Sequence, residues 1–354
     1  MDIKKLIEQV KLNCNISDAG FWGYYSMCGM LMRLRELYRN EHFLMPWEPV
    51  LNEDISEWIS SREALWGELE DEDLRPLEFE GKIYDPFEVE ELNAVLGRHG
   101  LVYGGGYGRF NKPTFFLSRL EGKREICNCR VYYIGREVCR DLSTSVAMLQ
   151  GRSVFIRLEP LRSLLWDKFR ELQGRRFGGA LKEAFSLYGI EATEEPSEKF
   201  HEKMETLSSG ISEILLLHEL GEVFESERPD EWLGILSHNS DRWTEFYLRG
   251  IKDLLADTSE KGPIKFMVER RERSLLSFYI VLLDGIRKEL FPEIMNAFQH
   301  FVESNDWSVI EEARKTGYKR ADKLVKDLLR VWKESGEIGA VKVFMKDHLK
   351  SSDK

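Results

Sequence analysis

The sequence predicts a mainly α protein in two parts: an α+β N-terminal half with a small antiparallel sheet, then an all-α helical bundle. Three observations carry this. Apolar residues recur at three- and four-residue spacing through most of the 354 residues. Between about 101 and 157 the pattern gives way to short runs rich in Phe, Tyr, Val and Ile, punctuated by glycine. From about 178 onward helical periodicity returns, and no unit of 20–50 residues repeats, which argues for a bundle over a solenoid. The expected domains are 1–175 and 178–354.

In order, a helix is expected over 18–41, capped by Ser17 or Asp18, with Tyr24, Met27, Leu31, Leu34 and Tyr38 on one face. An acidic helix follows from Asn52 through Ile55, Trp58, Ile59, Leu65 and Trp66. Asp85-Pro86 starts a third helix that stops at Gly100. Gly104-Gly-Gly-Tyr-Gly108 reads as a loop. Thr114–Leu120 and Ile126–Ile134 read as hairpin strands turning at 121–124, and Ser153–Arg157 as another strand. Pro160 opens a helix carrying Leu161, Leu164, Leu165 and Phe169. In the second half, helices are expected over 197–225, from Ser237 or Asn239 to Leu255, from Pro263 to Leu290, from Pro292, and over 307–335 with a loose tail beyond Gly336.

The strings Gly108-Arg-Phe-Asn-Lys-Pro-Thr-Phe-Phe116 and Cys28-Gly-Met-Leu-Met-Arg-Leu-Arg-Glu-Leu-Tyr38 resemble segments of an uncharacterised bacterial family of similar length. That resemblance implies no activity.

Composition bounds the function. With 42% hydrophobic residues and 12% aromatic, the chain has the material for a core, and no apolar run reaches a membrane span. The N-terminus is broken by charge every few residues, unlike a signal peptide. Five scattered cysteines do not make a disulfide framework, and Cys127-Asn-Cys129 lacks the second pair that zinc would need. The expectation is a cytoplasmic protein of bacterial type. The net charge of −11 is uneven: 52–91 holds 15 acidic and 3 basic residues, while 98–176 holds 16 basic and 7 acidic. Either the two segments neutralise each other or the basic one meets a polyanion.

The most suggestive string is His218-Glu219-Leu-Gly-Glu222, which resembles the start of the zinc-binding H-E-x-x-H motif but carries Glu where the second His belongs. Helical phase says more. The stripe Phe200, Met204, Leu207, Ile211 continues into His218 and Glu222, and a second stripe, Phe266, Leu276, Ile280, Leu283, includes Glu269 and Arg273. Ionisable groups forced inward must find partners or change protonation. Three arrangements satisfy them. One is a buried ion-pair network. Another is a divalent metal held by His218, Glu222 and Glu269, with Glu219, His238 and Asp241 as further ligands. The third is a small-molecule pocket using Arg273. Capping and solvation also account for His238 and Asp241 at a helix start. Arg109 and Lys112 beside the glycine run are candidates for holding an anion. The leading expectation is a metal- or small-molecule-binding protein with its polar site in the C-terminal bundle. The alternative is a module that binds nucleic acid or an acidic partner through the basic sheet at 98–176.

Overall fold

The computed structural model describes residues 2–174, 179–225, 235, 242–283 and 285–352. They form two compact units, one of residues 1–175 with 192–208, the other of 176–191 with 209–354. The first is α+β and the second all helical.

The first unit opens with α1 (Asp2–Phe21), α2 (Met27–Glu41) and α3 (Asn52–Leu69). The expected helix over 18–41 is therefore two. Ser26, whose Oγ accepts the Gly29 amide, caps α2, while Ser17 and Asp18 are buried inside α1. Of the expected face only Leu34 and Tyr38 are buried; Tyr24, Met27 and Leu31 are exposed, Met27 at 81%. A small hairpin follows, β1 (Leu77–Phe79) with β2 (Lys82–Tyr84), turning through Glu80 and Gly81 at positive φ. The helix announced by Asp85-Pro86 starts only at Val89 (α4, Val89–Leu96), because Asp85 and Glu88 first cap each other's turn.

The main sheet has the order β3-β4-β5-β7-β6, from β3 (Leu101–Tyr107), β4 (Pro113–Ile126), β5 (Cys129–Arg140), β6 (Ala147–Gln150) and β7 (Ser153–Arg157). All pairs are antiparallel except β5 with β7, which run parallel. Two expectations are corrected here. The glycine run is strand, not loop: a Cβ on Gly104 would meet the Phe116 ring at 2.1 Å, so glycine leaves room for the far edge of that ring against β3. The hairpin turns at Cys127-Asn128, both at positive φ, so the two strands continue past 121–124 through a series of bulges. Gln150 accepts the Gly105 amide at 3.1 Å and so links edge strand β6 to the opposite edge, β3. The core lies between this sheet, α1 and α4: Leu6, Val10, Leu92, Leu96, Phe115 and Phe155 are all fully buried. Helix α5 (Leu158–Gly174) follows β7 directly.

The second unit contains α6 (Ala180–Ser186) and most of α7 (Glu198–Glu225). It continues with α8 (Arg242–Thr258), α9 (Pro263–Arg270), α10 (Arg273–Leu282), α11 (Gly285–Leu290), α12 (Pro292–Ser304), α13 (Trp307–Ser335) and α14 (Ile338–Ser352). The expected tail after Gly336 is thus a helix. The expected helix from Pro263 to Leu290 is broken at Arg271, which adopts left-handed φ, and again before Gly285. Helix α8 extends to Thr258, past the expected end at Leu255. Gly221 brings α7 against α8, since a Cβ there would lie 2.7 Å from the Ala256 carbonyl oxygen.

Among the described residues no helix is long and apolar enough to cross a membrane, and all five cysteines are free thiols.

Candidate metal centre

Helical phase carries His218 and Glu222 inward on the last turns of α7, as the sequence predicts; their side chains are 15% and 13% exposed. They meet α8 rather than the segment of Glu269. Nδ1 of His218 lies 2.7 Å from Oδ1 of Asp257, and Asp257 Oδ2 accepts the Tyr279 hydroxyl at 2.9 Å. With Nδ1 so engaged, Nε2 faces Glu222, 3.7 Å from Oε1. Asp253, one turn before Asp257, completes a group: ligand atoms of His218, Glu222 and Asp253 all lie within 4.8 Å of one another.

The charges here are partly compensated. Lys252 Nζ is 2.6 Å from Glu222 Oε2, and Arg287 lies 3.7 Å from Asp253. Burial disfavours charge on His218, but Asp257 and its hydrogen bond, with Asp253 and Glu222, outweigh that and lift the imidazole to about 10. Burial likewise opposes the Asp257 carboxylate, and His218 overcomes it to hold Asp257 below the usual range. Burial lifts Asp253 above its ordinary value. It also takes Glu219, 7% exposed, up to about 7.

The remaining candidates fall elsewhere. Glu269 is a correction: its side chain is 63% exposed and pairs with Lys265 on its own helix, 3.5 Å away. Arg273 is not in phase with it either, because the break at Arg271 resets the register. Arg273 instead holds Glu183 at 2.7 Å and the Val302 carbonyl at 3.2 Å. His238 and Asp241 lie outside the described residues. Lys112 is a second correction. It is no surface anion ligand but a buried cation, 3.0 Å from Asp18 and 3.2 Å from Asp141. Arg109 is exposed beside it. An expected helix end at Leu255 placed Asp257 in a loop, while Asp253 lay inside the expected helix with nothing to show which helix it would face. The four-residue spacing of the two acids was the signal available.

The basic segment 98–176 is partly spent internally. Lys112, Arg140 and Arg157 are buried, while Arg98 and Arg130 pair with Glu80 and Glu90 of the acidic segment.

A model of the N-terminal domain of a family of unknown function, DUF6866, matches residues 5–157, and the model of that family's C-terminal domain matches residues 162–349. No curated protein and no solved structure matches the chain.

Proposed function

The chain belongs to the DUF6866 family, whose function is unknown, and for this member we propose that the C-terminal helical unit binds one divalent metal ion through His218, Glu222 and Asp253. The observation that carries this reading is the Asp257–His218 contact at 2.7 Å, which leaves Nε2 beside Glu222 for a metal that would displace its proton. A carboxylate on the far nitrogen is the usual outer partner of a metal-bound histidine, since it fixes the tautomer and strengthens the ligand. Tyr279 in turn fixes Asp257. One nitrogen and two carboxylate ligands suit zinc, manganese or ferrous iron better than magnesium or a thiophilic ion. Three protein ligands leave coordination positions for water or a small molecule, so the site can bind or activate one. A cytoplasmic location accords with five free thiols.

A second reading has its own support. Lys252 on Glu222 and Arg287 near Asp253 supply cations to both carboxylates, so the cluster can be a metal-free ion-pair network that holds α7 to α8. Elemental analysis separates the two. Protein purified without chelator, then dialysed, retains close to one equivalent of a transition metal if the site is a metal centre; a metal-free protein that also fails to take up added zinc or manganese contradicts it.

A further inference from the structure

We propose that a cavity in the N-terminal unit, walled by Arg39, Arg136, Arg140 and Arg162, binds a phosphate group. The cavity measures about 120 Å³ and draws its walls from three elements: the end of α2 with the segment 43–46, the end of β5, and the first turn of α5. A space of that size is ample for a phosphate.

The arginines are pre-placed. Arg39 is buried, with Nη1 donating to the Met45 and Glu48 carbonyls, both at 2.7 Å. Arg140 has a side chain 4% exposed and donates through one Nη to the Ser143 carbonyl at 3.0 Å. Its Nε is buried without a hydrogen bond, 3.3 Å from Glu137 Oε2. Glu137 is already claimed by the fully buried Arg157 at 2.5 Å, so one carboxylate faces two buried guanidinium groups. Arg136 stacks on the Phe43 ring at 4.1 Å and makes no hydrogen bond or ion pair among the described residues. Planar guanidinium forks match phosphate oxygens; stacking and carbonyls hold those of Arg136, Arg39 and Arg140, while Arg39 also lies 3.6 Å from Glu36 and Arg162 is held by Glu205. Glu36 and Glu159 also line the cavity. Glu159 accepts hydrogen bonds from Asn40 and the Glu137 amide, and burial with Glu137 nearby raises its carboxyl above its ordinary value. The arginines at 136, 140 and 162 belong to the basic stretch that the metal centre leaves unused.

The phosphate can be inorganic or the end of a larger ester. The test is calorimetry on the full chain at low ionic strength, with inorganic phosphate in one arm and glycerol 3-phosphate in the other. Saturable one-site binding in either arm, absent with sodium chloride at matched ionic strength, supports the site and identifies the source. Arg136→Gln and Arg140→Lys should each weaken binding by about tenfold or more, the loss of one or two charge-assisted hydrogen bonds. Glu205→Gln should tighten it, because Glu205 now holds Arg162 by two contacts of 2.7 and 3.1 Å. Arg136 and Glu205 are accessible, so these variants keep the fold even if the Arg140 variant does not. No binding in either arm, or equal affinity in wild type, Arg136→Gln and Glu205→Gln, overturns the proposal.

Discussion

Asp257 Oδ1 lies 2.7 Å from Nδ1 of His218, and this single contact decides which imidazole nitrogen is left for a ligand. Asp257→Asn keeps the shape and removes the charge. It should lower zinc affinity by roughly 10- to 100-fold, the typical cost of losing a carboxylate behind a metal-bound histidine. Zinc calorimetry on folded variant and wild type reads this directly; unchanged affinity would remove Asp257 from the site.

Gly221 sets the helix spacing that makes that contact. A methyl group there would stand 2.7 Å from the Ala256 carbonyl oxygen, which is backbone and cannot turn aside. Gly221→Ala should therefore destabilise the protein by about 1–3 kcal/mol despite alanine's better helix propensity. In α3, Gly67 has nothing within 4 Å of its would-be Cβ, and Gly67→Ala should stabilise by up to about 1 kcal/mol. Urea midpoints of the two variants should move in opposite directions; movement in the same direction would contradict the close approach.

The buried Lys112 sits between Asp18 and Asp141 at 3.0 and 3.2 Å. Lys112→Met leaves two carboxylates in the core without their cation and should cost about 3–5 kcal/mol in denaturant unfolding. A loss within about 0.5 kcal/mol, as for an ordinary surface position, would restore Lys112 as an external anion ligand.

Much of this was legible in the sequence, and the failures share a cause. Phase placed His218 and Glu222 inward correctly because α7 runs unbroken from Glu198 to Glu225. The same argument failed for Glu269 because phase does not carry across Arg271, where the backbone turns left-handed without a glycine or proline to announce it. Gly104 looked like loop because glycine weakens strand propensity. Its role depends on Phe116, twelve residues away and opposite it in the sheet. The fold class followed from helical periodicity, the strand-like runs between 101 and 157 and the absence of a repeat. The third ligand, Asp253, depended on which helix faces α7, and its neighbour Asp257 on where α8 ends, and local sequence encodes neither.

Acid should weaken a different part of the second unit. The hydrogen-bonded Arg314 beside it, with Lys265 and Lys315 adding to the pull, draws the Glu311 carboxyl from 4.5 down to about 2. A depressed acid contributes stability above its ordinary value, and that contribution disappears as pH falls from about 4.5 toward 2. With Glu311 partly screened by solvent, it amounts to about 1–2 kcal/mol. Glu311→Gln should be less stable than wild type at pH 6, and the gap should narrow at pH 3. An equal gap at both pH values would contradict the assignment.

The metal reading stands or falls on which carboxylates touch the ion. Cobalt(II) titration of metal-free protein, followed by visible absorption, should give a one-equivalent end point in wild type and in Glu269→Gln. That end point should be lost or weakened at least about tenfold in Asp253→Asn. Equal cobalt binding by wild type and Asp253→Asn, or none by wild type, would refute a centre built from His218, Glu222 and Asp253 and leave the ion-pair network in its place.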